Sequence, residues 1–271
     1  MSTDRITELL ETAEAESVWG YETNTPPEVM ERFGMASARI GGGVALAVRH
    51  DATNYWSRAL GFGFTEPVTA ELVASITDFY RGNGNPIAVL NLAPSVLPAD
   101  WDQICAKEGI TAGSTWVKVA RPAGPVATPE TALRVAEIEV SDAESWATVL
   151  TRGFGMPEDM LVPMSKGVVG QPGWTAYGAY EGDQLVAAAA LLISGEVAEF
   201  CGAATLPEHR GKGAQSALLA ARAQKAVAEG VKWFSAETGK PDEGEKNSSL
   251  NNMTRAGFEI QYDRRNWVWR P

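Results

Sequence analysis

The sequence predicts an α/β protein built in two halves, and three observations carry this. Residues 197–206 read as a strand that feeds the Gly-rich basic turn Pro207, Arg210, Gly211, Lys212, Gly213 and then a helix over 216–229. Residues 121–129 hold three prolines, a glycine and small side chains, the composition of an extended connection. Strand-like and helix-like runs recur in similar order on both sides of it, more sharply after it than before.

The elements follow in order. Residues 1–16 are rich in Asp and Glu, which speaks against a signal or transit peptide; Leu9, Leu10 and Ala13 suggest a surface helix. Residues 44–49 and 55–61 read as strands. Leu72, Val73, Ile76, Phe79 and Tyr80 fall at helical spacing and predict an amphipathic helix, and 86–92 reads as a buried strand. Residues 106–110 before a strand at 115–118 parallel residues 255–258 before one at 266–269. After the connection, 132–140 reads as a strand, Asp142 as the cap of a helix through Thr151, and 158–166 as a helix after Pro157. Strands at 174–180 and 184–193 flank Glu181, Gly182 and Asp183, a hairpin turn signal. On the helix over 216–229, Leu219, Ala220, Ala223 and Val227 predict a core-facing stripe. A strand at 232–237, a helix at 247–255 and a final strand pair, 258–262 with 266–269, complete the chain.

Composition narrows the function classes. The 271 residues suit about two domains, with 45% hydrophobic and 21% charged residues, an ordinary globular balance. No apolar run reaches the roughly 18–20 residues of a membrane span, so no membrane partner is expected. A net charge of −11 disfavours nucleic acid and suits either steering of an amine-bearing acceptor or simple solubility. Cys105 and Cys201 lie far apart and predict no disulfide framework, which fits a reducing cytoplasm. With only His50 and His209 and no Cys pair, no metal is expected.

The basic turn carries the chemistry. The first N–H groups of a helix have no partner in the chain, and the helix dipole makes that end positive. Gly211 and Gly213 let backbone approach a ligand, Arg210 and Lys212 add charge, and a pyrophosphate suits the combination. The Walker spacing is absent, and so is Gly-x-Gly-x-x-Gly, because Ser216 stands at its third position. The pattern Arg-x-x-Gly-x-Gly/Ala does match at Arg210 and Gly213, with Gln215 where a small residue is expected. This strand, loop and helix resemble the acetyl-coenzyme A loop of the GNAT superfamily of N-acetyltransferases, and the order of elements after the connection is that family's order. The whole chain resembles tandem GNAT proteins with a degenerate first half.

The resemblance implies two GNAT-like domains, each a mixed, mostly antiparallel sheet flanked by helices. Residues 1–121 would be a domain without a coenzyme site, 122–130 a linker, and 131–271 the acetyltransferase domain. Acetyl-coenzyme A would be the cosubstrate. Ala203, Ala204, Thr205 and Leu206 would hold its pantetheine arm through the main chain, and Arg210, Gly211, Lys212, Gly213, Ala214 and Gln215 its pyrophosphate. Asn247 would contact the coenzyme or cap its helix. The loop at 61–67 in the first half has glycines but no Arg or Lys, Glu66 sits where an anion would go, and Arg58 lies on the wrong side of the turn.

Transfer to an amine needs a base, stabilisation of the thioester oxygen and an acid for the thiolate. Glu199 stands eleven residues before Arg210, the offset at which some family members carry a general-base glutamate. A carboxylate in the apolar run around it would have a raised pKa, suited to a base; an inert rim glutamate is the alternative. The family's tyrosine acid falls on Met253 here and is missing. Phe154, Met156, Met160, Trp174, Trp267 and Trp269 are candidates for the acceptor pocket. The expected activity is N-acetylation of an amine-bearing small molecule or peptide by direct attack, in a monomer or homodimer. Coenzyme A binding without turnover, and a nucleotide binder with a similar loop, are the rivals.

Overall fold

The protein is described by a computed structural model covering residues 3–271. The elements up to the connection are α1 (Thr3–Thr23), α2 (Pro27–Phe33), β1 (Met35–Ile40), β2 (Gly43–Val48), β3 (Arg58–Leu60), α3 (Ala70–Gly82), β4 (Ala88–Asn91), α4 (Trp101–Glu108) and β5 (Ile110–Pro122). After it come β6 (Arg134–Glu137), α5 (Ala143–Phe154), α6 (Glu158–Lys166), β7 (Trp174–Glu181), β8 (Gln184–Ser194), β9 (Val197–Glu199), β10 (Ala203–Thr205), α7 (Ala214–Ala228), β11 (Trp233–Gly239), α8 (Ser248–Arg255) and β12 (Glu259–Trp269). Local signals place several ends. Thr69 caps α3 by accepting from the Leu72 N–H at 3.2 Å, and Asn247 caps α8 by accepting from the Leu250 N–H at 3.0 Å. No helix among the described residues is long and apolar enough to cross a membrane.

The twelve strands form one mixed, mostly antiparallel sheet flanked by helices. Its order is β1-β2-β3-β4-β12-β5-β11-β9-β8-β7-β6, with β10 paired to β8 off this path. The two central strands are exchanged between the halves. β12, last in the chain, lies beside β4 of the first half, and β5, from the first half, lies beside β11 of the second. β5 and β12 pair antiparallel from Ile110↔Trp269 to Ala120↔Glu259, so the sheet crosses both halves without an edge between them.

Three expectations change in this light. The final strand pair is a single strand, Glu259–Trp269, whose middle residue Arg264 is buried in ion pairs. The stripe on α7 is rotated: Val227 is 43% exposed, while Leu218, Arg222 and Ala226 are buried at a spacing of four with Leu219 and Ala223 beside them. The N-terminal helix is not a surface helix. Leu10, Ala13, Val18 and Tyr21 of α1 are buried, and so are Glu11, Glu14 and Glu22. It lies across the strands where the halves meet, touching β2 and β3 of one and β8, β9 and β11 of the other.

The carboxylates of α1 account for its burial. Glu14 accepts from both Arg264 Nη atoms (2.6 and 2.7 Å), from Lys118 Nζ (2.5 Å) and from Arg58 Nη2 (2.7 Å). Glu11 accepts from Arg264 Nη1 at 2.7 Å and from the Tyr262 hydroxyl at 2.8 Å. Lys118 also reaches Glu237 at 3.2 Å. Three cations from β3, β5 and β12 thus meet three carboxylates from α1 and β11, a neutral set fastening both halves to one helix. Burial alone would raise the Glu14 carboxyl, but the charges of Arg264, Lys118 and Arg58 outweigh it and hold the group well below the usual carboxylate range.

Candidate active site

The strand read at 197–206 is two strands with a break, and the break makes the site. β9 pairs with β11 in parallel from Val197↔Trp233 to Glu199↔Ser235, and the Phe200 N–H still reaches the Ser235 carbonyl at 2.8 Å. The Ala190 N–H of β8 then meets two carbonyls, Cys201 and Gly202, both at 3.1 Å, which is a β-bulge. Beyond it β10 follows β8 alone, Ala203↔Ala189 to Thr205↔Ala187, and parts from β11. The space between is a cavity of about 770 Å³ lined by Phe200–Thr205 backbone and side chains on one wall and by Ala236, Glu237 and Thr238 on the other.

The loop 210–215 forms one end of this cavity. Gly213 has φ +85° and precedes α7 without any side-chain cap, so the first turn of α7 presents unsatisfied N–H groups toward the cavity. Arg210 donates to the Thr205 carbonyl (3.2 Å) and the Gly153 carbonyl (3.0 Å), which ties the loop to β10 and to the end of α5. Gly153 is required there: a Cβ on it would stand 2.6 Å from the Ala204 Cβ. Gln215 does not crowd the turn, because its Nε2 folds back onto Thr205 Oγ1 at 2.9 Å.

Of the residues proposed from sequence, Ala203, Ala204, Thr205, Arg210, Gly211, Gly213, Ala214 and Gln215 line the cavity. Leu206, Lys212, Asn247 and Glu199 do not. The Lys212 ammonium is held by Glu181 on the β7–β8 hairpin at 2.6 Å, and His209 meets the same carboxylate at 2.6 Å. Asn247 spends its side chain on the α8 cap, the Gly239 carbonyl (2.7 Å) and the Thr238 hydroxyl (3.0 Å).

Glu199 is fully buried, and neither of its oxygens has a hydrogen-bond donor. Burial first, then the neighbouring Glu237 charge, push its carboxyl well above the usual range against the pull of Lys118. Burial thus favours the neutral form of Glu199 behind the wall. Glu237 lies two positions beyond Ser235 on the same face of β11, lines the cavity and contacts Lys118.

The remaining wall comes from residues that sequence reading missed. Ser17, Val18 and Tyr21 of α1, with Tyr55, Trp56 and Trp116, bring the first half to the cavity. The Tyr21 hydroxyl lies 3.0 Å from where a Cβ on Gly202 would stand, over the bulge. Only the burial of α1 places Ser17, Val18 and Tyr21 here, and acidic residues on a helix gave no sign of it. Phe154 and Met156 line the cavity as expected, whereas Met160 and Trp174 pack in the core and Trp267 and Trp269 pack in the first-half core. Met253 faces the cavity from α8. Arg222 of α7 also lines it, although 3% exposed; burial lowers its guanidinium to a pKa of about 10.

The corresponding strands of the first half do not part in this way. β3 and β4 stay paired to the end of β3, Leu60↔Asn91, and no strand follows β3 as β10 follows β9. Arg58 is buried and turned to Glu14 and to Asn91 Oδ1 (2.8 Å).

Residues 145–247 match the acetyltransferase (GNAT) family model. The fold likeness extends over both halves. A GCN5-related N-acetyltransferase from Kribbella flavida aligns with a TM-score of 0.64 at 18% identity, covering 97% of this chain and 95% of that one. A GCN5-related N-acetyltransferase from Sphaerobacter thermophilus aligns at 0.59 and 14%, covering 88% and 76%. A tandem GNAT protein from the clavulanic acid biosynthesis pathway aligns at 0.57 and 16%, covering 98% and 94%. No curated protein matches the sequence.

Proposed function

We propose that the chain is an acetyl-coenzyme A-dependent N-acetyltransferase whose catalytic cleft lies wholly in the second half, the first half serving as its wall and fastening. The observation that carries this reading is the parting of β10 from β11 directly above an uncapped helix N-terminus. A freed strand edge suits main-chain pairing with a pantetheine arm, and the α7 N-terminus with Arg210 suits a pyrophosphate. Acetyl-coenzyme A enters as a substrate. Ala203, Ala204 and Thr205 would hold the arm; Arg210, Gly211, Gly213, Ala214 and Gln215 would hold the phosphates. Lys212 and Asn247 would act at second remove, through Glu181 and through the α8 cap.

In the reaction the amine nitrogen attacks the thioester carbonyl, the C–N bond forms, the C–S bond breaks, and the thiolate leaves with the electron pair. The proton lost by the amine passes to Glu237, the carboxylate on the cavity wall, with Glu199 behind it as the neutral partner that shares its charge. Met253 occupies the position at which the family's acid is expected, so the thiolate would leave unassisted or through water. The acceptor amine enters between α5 and α1, past Phe154, Met156 and Tyr55. Coenzyme A binding without turnover remains the second reading, favoured by the methionine at 253.

Calorimetric titration with coenzyme A, ATP and NAD, followed by free-thiol release from acetyl-coenzyme A with a panel of amines, tests the assignment. Binding of coenzyme A alone together with amine-dependent thiol release supports it. Binding without release with any amine supports the second reading, and preference for ATP or NAD removes both.

A further inference from the structure

Every other arginine or lysine in the buried interior has a carboxylate within ion-pair distance among the described residues; Arg222 has none. Arg58, Lys118 and Arg264 meet Glu11, Glu14 or Glu237. Arg222, equally buried, spends Nε on the Leu218 carbonyl (3.2 Å) and Nη1 on the Ala190 carbonyl (3.0 Å), and lies 4.9 Å from the Phe200 ring centroid. Neither carbonyl neutralises it, and Nη2 makes no hydrogen bond among the described residues. A buried unpaired charge is costly, and a guanidinium held in place with a free N–H arm is a carboxylate receptor by geometry.

Its position separates it from the pyrophosphate site. Arg222 lies eight residues along α7 from Ala214, about 12 Å at the helical rise, toward the bulge where the cleft begins. Two further unsatisfied groups belong to residues lining the same cavity. The Tyr21 hydroxyl and Thr151 Oγ1 are both buried without a hydrogen-bond partner. Three potential donors from α1, α5 and α7 thus line one cavity, each lacking an acceptor.

We propose that this region, given the acetyltransferase reading above, binds a carboxylate group carried next to the acylation centre, with Arg222 as its cation and Tyr21 and Thr151 as its hydroxyl donors. The carboxylate belongs either to the acceptor, as in an amino acid, or to the acyl group, as in a dicarboxylic acyl thioester. Glu237 on the facing wall offers the complementary place for an ammonium group.

The test is calorimetric binding to the full chain and to its Arg222→Gln and Arg222→Lys variants. One arm compares amino acids with the amines formed by removing their carboxylates, with and without coenzyme A. The other compares succinyl- with acetyl-coenzyme A. A carboxylate preference on the order of 10–100-fold is expected in one arm, matching one or two charge-assisted bonds. It should vanish in Arg222→Gln and weaken severalfold in Arg222→Lys, whose head lacks the fork. Coenzyme A affinity should stay within about twofold in both. The arm that discriminates identifies the source. Absence of preference in both arms, or a preference kept by Arg222→Gln, overturns the proposal. Should Arg222→Gln not fold, as read by circular dichroism, Arg222→Lys decides alone: an undiminished preference overturns it. Failure of the parent to bind coenzyme A would remove the acetyltransferase reading, while the amino acid arm without coenzyme would still decide the carboxylate site.

Discussion

The two halves pair a strand with its parallel neighbour in the same way and diverge one residue later. In the first, β3 ends at Leu60 still paired with β4, and Arg58 turns inward to Glu14. In the second, a bulge at residues 201–202 lets β10 leave β11, and Arg210 turns to the lip of the opening. One arginine fastens and the other borders a cleft. A sheet can therefore hold two copies of a layout and open only one of them into a cleft.

The largest effect is expected at the fastening. Glu14→Gln leaves Arg264, Lys118 and Arg58 short of a buried negative charge and should cost about 3–5 kcal/mol in urea unfolding, the range for breaking a buried ion pair. Because the Glu14 carboxyl is held well below the usual range, its contribution is present above that range and lost as pH falls through it and below. The variant should lack that acid-side loss. A variant as stable as the parent at pH 7 would mean that the halves are held by packing alone.

Next come the two carboxyl groups at the cleft. Glu237→Gln and Glu199→Gln should each lower kcat/KM about 100-fold at pH 7, with partial rescue at higher pH as more amine is neutral. Coenzyme A affinity should not change. A loss confined to Glu237→Gln would leave Glu199 as buried support, and a loss confined to Glu199→Gln would contradict the order of the two groups along the proton path.

Gly153→Ala is a smaller perturbation. The new Cβ presses on Ala204 and must shift α5 from β10, which should cost about 1–3 kcal/mol of stability and weaken coenzyme A binding through the Gly153–Arg210 contact. Unchanged binding would show that the lip is held without α5.

Much of this was legible beforehand where local chemistry decides. The 158–166 helix after Pro157, the 181–183 turn and the helix after the Gly-rich loop follow from turn residues and periodicity, whereas the strand read at 197–206 is broken in two. The exchange of β5 and β12 was not legible, because strand partners 139 to 159 residues apart leave no periodic trace. Nor was the burial of α1, since Glu11 and Glu14 read as solvated until their partners on β3, β5 and β12 are known. Arg222 was hidden for the same reason: a stripe read through Leu219 and Val227 places an arginine at 222 on its edge, whereas the helix is rotated to bury it.

The difference between the halves is tested most directly by titrating the full chain with coenzyme A, beside its Arg210→Ala variant. One molecule bound per chain is expected, with affinity falling about 10–100-fold in the variant, the loss of one or two charge-assisted contacts. Two molecules per chain, or an affinity indifferent to Arg210, would contradict the assignment of a single cleft to the second half.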